Sequence, residues 1–288
     1  MLTNGADQVL LEEDLNIEHK ISTDHKMDRP HFHDGFEIHF TLNDDTFYYV
    51  DERKYRGDTG AIALFNSQEI HRVVIEEGIR YERYYILFKP RFIEFAVSEY
   101  PDLLRIFMDH RKNNNNVIQL QNEDIKKITR LFDELLFLKK ADDLFLQELK
   151  IKLKLIEIIL FINDSVSTGN VYKNSISYNK DNEIRDITKY IKAHYSERIN
   201  LEDISNEFFI SKSTLVRIFK NNMGMTPNDY LSYIRIMESR KFLKRGYPVK
   251  DIAEKVGYAD DSTFIKKFKK IKGLTPKQYA LQEMNNDY

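Results

Sequence analysis

Length, composition and charge already restrict what this chain can be. Its 288 residues are 42% hydrophobic, which is enough for two domains that each bury a core. The absence of cysteine excludes disulfides and thiolate metal sites, and residues 1–14 lack the cationic start and apolar run of a signal peptide. No apolar stretch reaches the roughly 18 residues of a membrane span. We therefore expect a soluble, cytoplasmic protein.

The net charge of −2 at pH 7 conceals an acidic part and a basic part. Residues 1–182 contain 24 Lys and Arg against 32 Asp and Glu, whereas residues 183–288 contain 20 against 14. The net charges are therefore −8 and +6. A basic C-terminal part is typical of a domain that binds nucleic acid, and the acidic part indicates a separate domain with another task.

Residues 1–110 are predicted to form a small β-sandwich or barrel. Short runs rich in Phe, Tyr, Ile and Val alternate there with polar segments typical of turns. The predicted strands are Phe36–Leu42, Thr46–Val50, Ala61–Phe65, His71–Ile75 and Tyr81–Phe88.

Three imidazoles and a carboxylate stand out in this β region. His31, His33 and Glu37 would lie on one face of an extended segment, and His71 comes later in the chain. Such a set can hold a divalent first-row metal. The same groups can instead hydrogen-bond one another or the hydroxyls of an organic ligand. Their spacing resembles that of the cupin barrel, whose metal-binding members present three imidazoles and a carboxylate.

We expect these side chains to line a pocket for an organic effector, with no cofactor. A metal held by His31, His33, Glu37 and His71 is one alternative, and histidines with a purely structural role are another. Strand phase alone adds four candidates to the pocket: His39, at the same parity as Glu37, and Tyr48, Arg72 and Tyr84. The full set of expected effector-binding residues is His31, His33, Glu37, His39, His71, Tyr48, Arg72 and Tyr84.

Residues 111–163 are predicted to contain two helices. Asp124–Lys140 and Asp143–Asn163 both carry apolar residues at three- and four-residue spacing, and Ala141-Asp142 between them suits a tight turn. An antiparallel pair this apolar must bury both stripes, either on the β domain or on another protomer. Residues 164–182 are rich in Asn, Ser and Lys without periodicity, which predicts a flexible linker.

The C-terminal part contains one supersecondary unit twice, at an offset of 48 residues that becomes 49 after a turn. The matching positions of the first copy are Ile204, Ser213, Thr214, Leu215, Phe219, Lys220, Gly224, Thr226, Pro227 and Tyr230. Those of the second copy are Ile252, Ser262, Thr263, Phe264, Phe268, Lys269, Gly273, Thr275, Pro276 and Tyr279. Each copy predicts a helix-turn-helix.

Capping residues define the helices of this repeat. Asn200 can cap a helix over 201–207 and Ser211 one over 212–222, while the second copy predicts helices over 249–256 and from Asp260 or Asp261 to Lys270. A helix from Thr226 to Lys244 would hold the motifs apart by roughly 28 Å, which suits two successive major grooves of B-DNA. A helical bundle for protein contacts is the alternative, but the positive charge argues against it.

The run Ile252 to Phe264, continued by Phe268-Lys269-Lys270 and 273–279, resembles the C-terminal signature of the AraC/XylS family of bacterial transcription regulators. The resemblance covers 183–288 and implies a seven-helix domain that binds double-stranded DNA through two helix-turn-helix motifs. By position in the motif, base-edge contacts would come from Ser213, Val216 and Arg217, and from Asp261, Ser262, Thr263 and Lys266. Lys220 and Lys269 would contact the backbone phosphates.

The resemblance also assigns the rest of the chain. A cupin-like barrel is the usual sensory domain of this family, so we expect an α+β protein that binds a small-molecule effector, such as a sugar or related metabolite. Activation with RNA polymerase and a homodimer joined through Leu149, Leu153, Ile156 and Leu160 are implied as well. The alternatives are a regulator controlled by a partner protein and a metal-dependent cupin enzyme, an isomerase or dioxygenase, that carries a DNA-binding tail.

Overall fold

The computed structural model describes residues 13–23, 30–108, 116–141, 145–168, 171–172 and 182–285. The chain forms two compact units, of which one includes residues 32–178 and the other includes residues 179–288. The first combines antiparallel sheets with helices and the second is helical, so the predicted α+β class is confirmed. Parts of the predicted linker, at 169–170 and 173–181, the predicted turn residue Asp142 and the predicted helix start Asp143 lie outside the described residues.

Two antiparallel sheets form the first unit. One has the strand order β1-β7-β2-β5-β8-β9 and the other has the order β4-β3-β6. All five predicted strands are present to within a residue, and further strands lie before, between and after them. The strands are β1 Leu15–Ser22, β2 Phe36–Thr41, β3 Thr46–Val50, β4 Arg53–Gly57, β5 Ala61–Phe65, β6 His71–Val74, β7 Tyr81–Phe88, β8 Val117–Leu120 and β9 Val171–Tyr172.

Strand β2 is buried on both of its faces because it lies between two separate cores. Ile38 and Phe40 belong to an apolar core shared with helices, whereas the neighbouring strand β5 sends Ala63 and Phe65 into a second core between the sheets. Side chains alternate along a strand, so Glu37 and His39 face the second core. Glu37 is paired in register with Phe65.

Helices cover one face of the larger sheet. The short helices α1 (Glu94–Val97) and α2 (Arg105–Met108) precede the long helices α3 (Asn122–Lys140) and α4 (Gln147–Ser167). The long pair is antiparallel, since Gln147 at the start of α4 donates to the Leu138 carbonyl near the end of α3, and Lys154, further along α4, pairs with Glu134, further back in α3. Helix α4 continues to Ser167, so the predicted linker start at 164 is too early.

Seven helices lie within the described part of the second unit. Their bounds are α5 Asn182–His194, α6 Leu201–Glu207, α7 Lys212–Met223, α8 Pro227–Lys244, α9 Val249–Lys255, α10 Asp261–Lys272 and α11 Pro276–Asn285. The predicted caps are present: Asn200 accepts from the backbone N–H groups of Glu202 and Asp203, and Ser211 accepts from Thr214 N. Helices α6–α7 and α9–α10 are the two predicted helix-turn-helix motifs.

A buried arginine on the connecting helix α8 ties the two motifs together. Arg235 donates from Nε to the Tyr195 carbonyl and from an Nη to the Glu197 carbonyl, both just ahead of the first motif. The turn of the second motif packs against the same Tyr195 carbonyl, because a Cβ on Gly257 would lie 2.5 Å from the Tyr195 oxygen. Gly257 has a φ of +83°, so this position needs glycine for space and for conformation.

Candidate effector site and DNA interface

A buried carboxylate joins the two sheets of the first unit. One carboxylate oxygen of Glu37 on β2, Oε2, lies 2.7 Å from His33 Nε2 and 3.0 Å from His71 Nε2. His33 lies four residues before Glu37, and His71 opens β6 in the opposite sheet. All three side chains are buried, and the His71 ring stacks on Phe65 with centroids 3.9 Å apart.

The structure brings all four members of the predicted histidine–glutamate set together. The ligand atoms of His31, His33, Glu37 and His71 lie within 4.8 Å of one another. Two parts of the chain contribute, because His31 and His33 precede β2, Glu37 lies on β2 itself and His71 comes from β6. We call these four residues the histidine–glutamate cluster.

His71 has an acceptor at each of its ring nitrogens. Its Nδ1 lies 3.3 Å from the Glu69 carbonyl oxygen, and its Nε2 lies 3.0 Å from Glu37 Oε2. A neutral imidazole donates from only one of these nitrogens, and the shorter contact with the carboxylate favours a hydrogen on Nε2. A metal ion bound by Nε2 and Oε2 would instead leave the hydrogen on Nδ1, facing the Glu69 carbonyl.

The neighbouring histidines keep the Glu37 carboxyl ionised. Burial raises the pKa of the Glu37 carboxyl, but the positive charge and hydrogen bond of His33, together with those of His71, outweigh it and hold that pKa well below its usual range. Glu37 is therefore an anion in the folded protein. Burying an anion opposes folding unless it has such partners, so removing His33 or His71 would leave the Glu37 charge poorly compensated.

His39 forms a second polar group on the same face of β2. Its Nδ1 lies 3.1 Å from the Tyr48 hydroxyl, and its Nε2 lies 2.9 Å from the Tyr81 hydroxyl. Burial raises the pKa of Tyr48 and of Tyr81, so both phenols stay neutral and can donate or accept. The placements of His39 and Tyr48 agree with the sequence. Tyr81 was missed, because nothing in the sequence fixes the phase of β7, which is buried on both faces.

Two predicted pocket residues lie elsewhere. Arg72 is on the face of β6 opposite His71, and its guanidinium covers the Tyr49 ring at 4.6 Å. Tyr84 faces the helices, where its hydroxyl donates to Asp133 of α3 at 2.8 Å. The prediction that Arg72 and Tyr84 line the space between the sheets was wrong, since strand alternation directs both of them to the other face.

The two recognition helices, α7 and α10, divide cleanly into buried and exposed faces. Leu215, Ile218 and Phe219 of α7 are buried, and so are Phe264 and Phe268 of α10, whereas Ile265 is half-buried. The predicted DNA contacts lie on the other faces. Ser213, Arg217, Lys220, Asp261, Ser262, Thr263, Lys266 and Lys269 are exposed, and Val216 is half-buried.

Two of these hydroxyls already have partners at the start of their helices. Ser213 Oγ lies 2.8 Å from Ser211 Oγ, and Thr263 Oγ1 donates to Asp260 Oδ2 at 2.8 Å. These bonds help to cap α7 and α10. Longer side chains, Arg217 on α7 and Lys266 on α10, extend from the exposed faces one turn further along each helix.

Comparison with known proteins accounts for both units. The AraC-like ligand binding domain matches residues 15–153, and a helix-turn-helix domain matches residues 204–282. Together these models cover most of the chain. The chain belongs to the AraC family of transcription regulators. AraC-family chains of this arrangement carry a ligand-binding domain followed by a DNA-binding domain, and both are present here.

Similar proteins include other bacterial regulators. The uncharacterized HTH-type transcriptional regulator YbfI of Bacillus subtilis is 29% identical over 81% of this chain and 79% of its own length. The transcriptional regulatory protein HptR of Staphylococcus aureus is 33% identical over 34% of this chain, and the match spans 39% of HptR. Among solved structures, ToxT from Vibrio cholerae is 15% identical, with a TM-score of 0.37 over 93% of this chain and 98% of that one.

Membership of the AraC family also decides between regulator and enzyme. Its members are transcription regulators rather than enzymes, so the prediction of a non-enzymatic protein is confirmed and the cupin-enzyme alternative is wrong. In the part of the chain that the structure describes, no helix combines the length and apolarity needed to cross a membrane.

This AraC-family chain also exposes an apolar face on its long helix α4. Leu149, Leu153 and Leu160 share one side of that helix and are 42%, 51% and 48% exposed. Ile156, predicted to join them, is half-buried and also packs against the unit's own core. Next to this face, a groove lined by Phe137 and Lys154 runs between α3 and α4.

Proposed function

We propose that this regulator binds a small-molecule effector between the two sheets of its N-terminal unit, at the histidine–glutamate cluster and His39. The supporting observation is the burial of these polar groups among apolar side chains of the second core. Replacing a buried ion pair by apolar side chains is often neutral or stabilising, so a domain that needs only a core would not be expected to keep this one. Imidazole, carboxylate and phenol groups offer both donors and acceptors, which suits the hydroxyls of a carbohydrate or related metabolite.

The effector acts through a difference in affinity between two states of the protein. It shifts the population only as far as it binds one state more tightly than the other. The family resemblance supports activation of transcription with RNA polymerase as the outcome. It also supports a homodimer, and the exposed leucines Leu149, Leu153 and Leu160 are the surface we propose for it.

In the DNA-binding unit, Arg217 and Lys266 read base edges in two successive major grooves. Their support is their position on the outer faces of the recognition helices and a connecting helix α8 of 18 residues, which is about 27 Å long. Ser213, Val216, Asp261, Ser262 and Thr263 contribute shorter contacts, and Lys220 and Lys269 bind phosphates.

The effector site is tested by titration with candidate metabolites. Genome-wide mapping of binding sites identifies the regulated genes and the metabolic pathway that they encode. Metabolites of that pathway are then titrated into wild-type protein and into Glu37→Gln, and binding is measured by calorimetry. We expect binding to wild type and at least tenfold weaker binding to Glu37→Gln, because the carboxylate is at the centre of the cluster. Tyr84→Phe, on the opposite face of the sheet, is the matched control and should bind normally.

Retained operator binding by Glu37→Gln shows that the C-terminal unit is intact in the variant. If Glu37→Gln bound the metabolite as well as wild type, or if Tyr84→Phe lost binding to the same extent, the effector site would not lie at this cluster.

A second candidate is that the regulator responds to a divalent metal, alone or together with an organic ligand. The supporting observation is the convergence of four ligand atoms within 4.8 Å of one another, with a backbone carbonyl 3.3 Å from His71 Nδ1, since such a carbonyl commonly orients a metal-binding imidazole. His31, His33, Glu37 and His71 would hold the ion, which would supply a positive charge for effector hydroxyls. Titration with Co²⁺ while recording its visible absorption tests this proposal. Absorption bands of four-coordinate Co²⁺ that wild-type protein shows and Glu37→Gln lacks would support it. A spectrum of wild type with Co²⁺ that is unchanged from that of hydrated Co²⁺ would contradict it.

A further inference from the structure

Phe209 lies in the turn of the first helix-turn-helix motif and is 96% exposed. Among the large apolar side chains of the described residues, it is the most exposed. Its φ is +53°, in the left-handed region that favours glycine and disfavours bulky residues. Exposure and conformation are therefore both unfavourable for a phenylalanine here.

The second motif shows what this turn requires. Phe209 N donates to the Asn206 carbonyl, and Gly257 N donates to the Glu254 carbonyl in the same way, 48 residues later. The next residue, Ile210, donates to Ser205, and Tyr258 repeats that bond to Ala253. The two turns thus have the same hydrogen bonds, and both place a left-handed residue at the same position. The second motif meets this need with glycine.

Folding does not explain the phenylalanine of the first motif. Gly257 is confined by the Tyr195 carbonyl, whereas the Phe209 side chain extends into solvent and adds little to the core. Glycine at position 209 would satisfy the backbone without strain. A residue that is strained and exposed points to a role in binding.

The position of the turn identifies the partner. Phe209 precedes the helix cap Ser211 by two residues, so its Cα lies within about 7 Å of the start of recognition helix α7. The N-terminal end of a recognition helix is the end that contacts base edges in the major groove. Arg217 and Lys220 follow on the same helix, in a domain of net positive charge. The Phe209 ring is therefore within reach of the duplex.

We propose that Phe209 is a DNA contact of the first motif, where its ring packs against an apolar edge of the duplex beside the bases read by α7. Two such edges exist, the 5-methyl group of thymine and the deoxyribose of the backbone. A thymine contact would make Phe209 a specificity-determining residue. This inference rests on the proposed role of α7 in reading DNA.

Phe209→Gly separates binding from folding in the full-length protein. Because glycine adopts the left-handed conformation readily, we expect a melting temperature equal to or above that of wild type. Because the apolar contact is lost, we expect about tenfold weaker binding to an operator fragment by fluorescence anisotropy. Phe209→Leu, which keeps an apolar side chain, should lose less affinity. The salt dependence should not change, since no phosphate contact is removed.

Operators in which single thymines are replaced by deoxyuridine distinguish the two edges. If one replacement weakens wild type but not Phe209→Gly, the ring contacts that methyl group. If none does while Phe209→Gly still binds weakly, the ring contacts a sugar. Both outcomes support the inference.

Arg217→Ala, measured in parallel, separates this inference from the proposed role of α7. Wild-type operator affinity in Phe209→Gly, with weakened binding in Arg217→Ala, would overturn only the role of Phe209. Normal affinity in both variants would overturn the role of α7 as well. If Phe209→Gly lost transcriptional activity with unchanged operator affinity, the ring would serve a protein partner and the inference would be wrong.

Discussion

The inner face of the N-terminal sheets and the recognition helices of the C-terminal unit carry their polar residues in opposite ways. Glu37 and His71 are buried and partnered with each other, whereas Arg217 and Lys266 lie on the outer faces of their helices. Replacing a buried partnered group changes stability and binding together, while replacing a surface one changes binding alone. Function should therefore be separable from folding on the recognition helices but not at the histidine–glutamate cluster.

The largest expected change in operator affinity comes from replacing the exposed leucines of α4, and this replacement should change folding little. Leu153→Glu with Leu160→Glu should give a folded monomer, because unpaired charges would be buried across a dimer interface but stay in solvent on a single chain. Affinity for a two-site operator should fall by about a hundredfold or more as linkage is lost, with affinity for one half-site retained. Sedimentation and operator titration measure the two effects.

Leu281→Glu is a matched control for this experiment, since Leu281 is similarly exposed in the other unit. It should leave the oligomeric state unchanged. A double variant that sediments as the dimer would show that protomers associate through another surface, and the leucines would then need a different partner.

How much could be predicted from the sequence differs between the same two regions. In the C-terminal unit the informative signals are local: Asn200 and Ser211 cap their helices as predicted, Asp260 is the one of two predicted candidates that caps α10, and apolar spacing separates core from surface. The repeat then places the motifs without knowledge of long-range contacts.

The N-terminal unit depends on pairings that the sequence does not specify. Strands β5 and β7 are largely buried on both faces, so alternation of apolar and polar residues does not indicate which side faces the second sheet. For this reason the sequence points to Tyr84 rather than to Tyr81. Strands β1 and β4 carry charged residues along their length, which hides them from a search for apolar runs. The histidine–glutamate set is predictable because its spacing is itself a signal.

The buried cluster should show the coupling of binding to stability directly. Glu37→Gln is expected to lower the free energy of unfolding by about 3 kcal/mol, because His33 and His71 lose a buried anionic partner. Chemical denaturation in the presence of a chelator measures this, so that metal binding does not contribute. Tyr84→Phe, which removes one hydroxyl from the other face, should cost clearly less.

The pH dependence of that difference follows from the lowered pKa of Glu37. A depressed carboxyl pKa contributes stability above the unfolded value of about 4.5, and this contribution is lost as the pH falls through the folded value. The difference between wild type and Glu37→Gln should therefore be largest above about pH 5 and shrink in more acidic solution. A difference that grew with acid would contradict the assignment of Glu37 as a buried anion.

On the recognition helices, binding should change while stability does not. Arg217→Ala should weaken operator binding by about 1–3 kcal/mol and relax the preference at one base pair, as expected for a lost base-edge contact. Lys220→Ala and Lys269→Ala should weaken DNA binding less than Arg217→Ala does, and by the same amount for every DNA sequence. Each should also reduce the slope of log affinity against log salt concentration by about the amount expected for one phosphate contact. Because all three side chains lie on the surface, the free energies of unfolding should stay within about 0.5 kcal/mol of wild type.

Anisotropy titrations over single-base operator variants at several salt concentrations separate the two kinds of contact. If Arg217→Ala lowered every affinity equally, Arg217 would be a phosphate contact, and base reading by the first motif would have to come from shorter residues such as Val216.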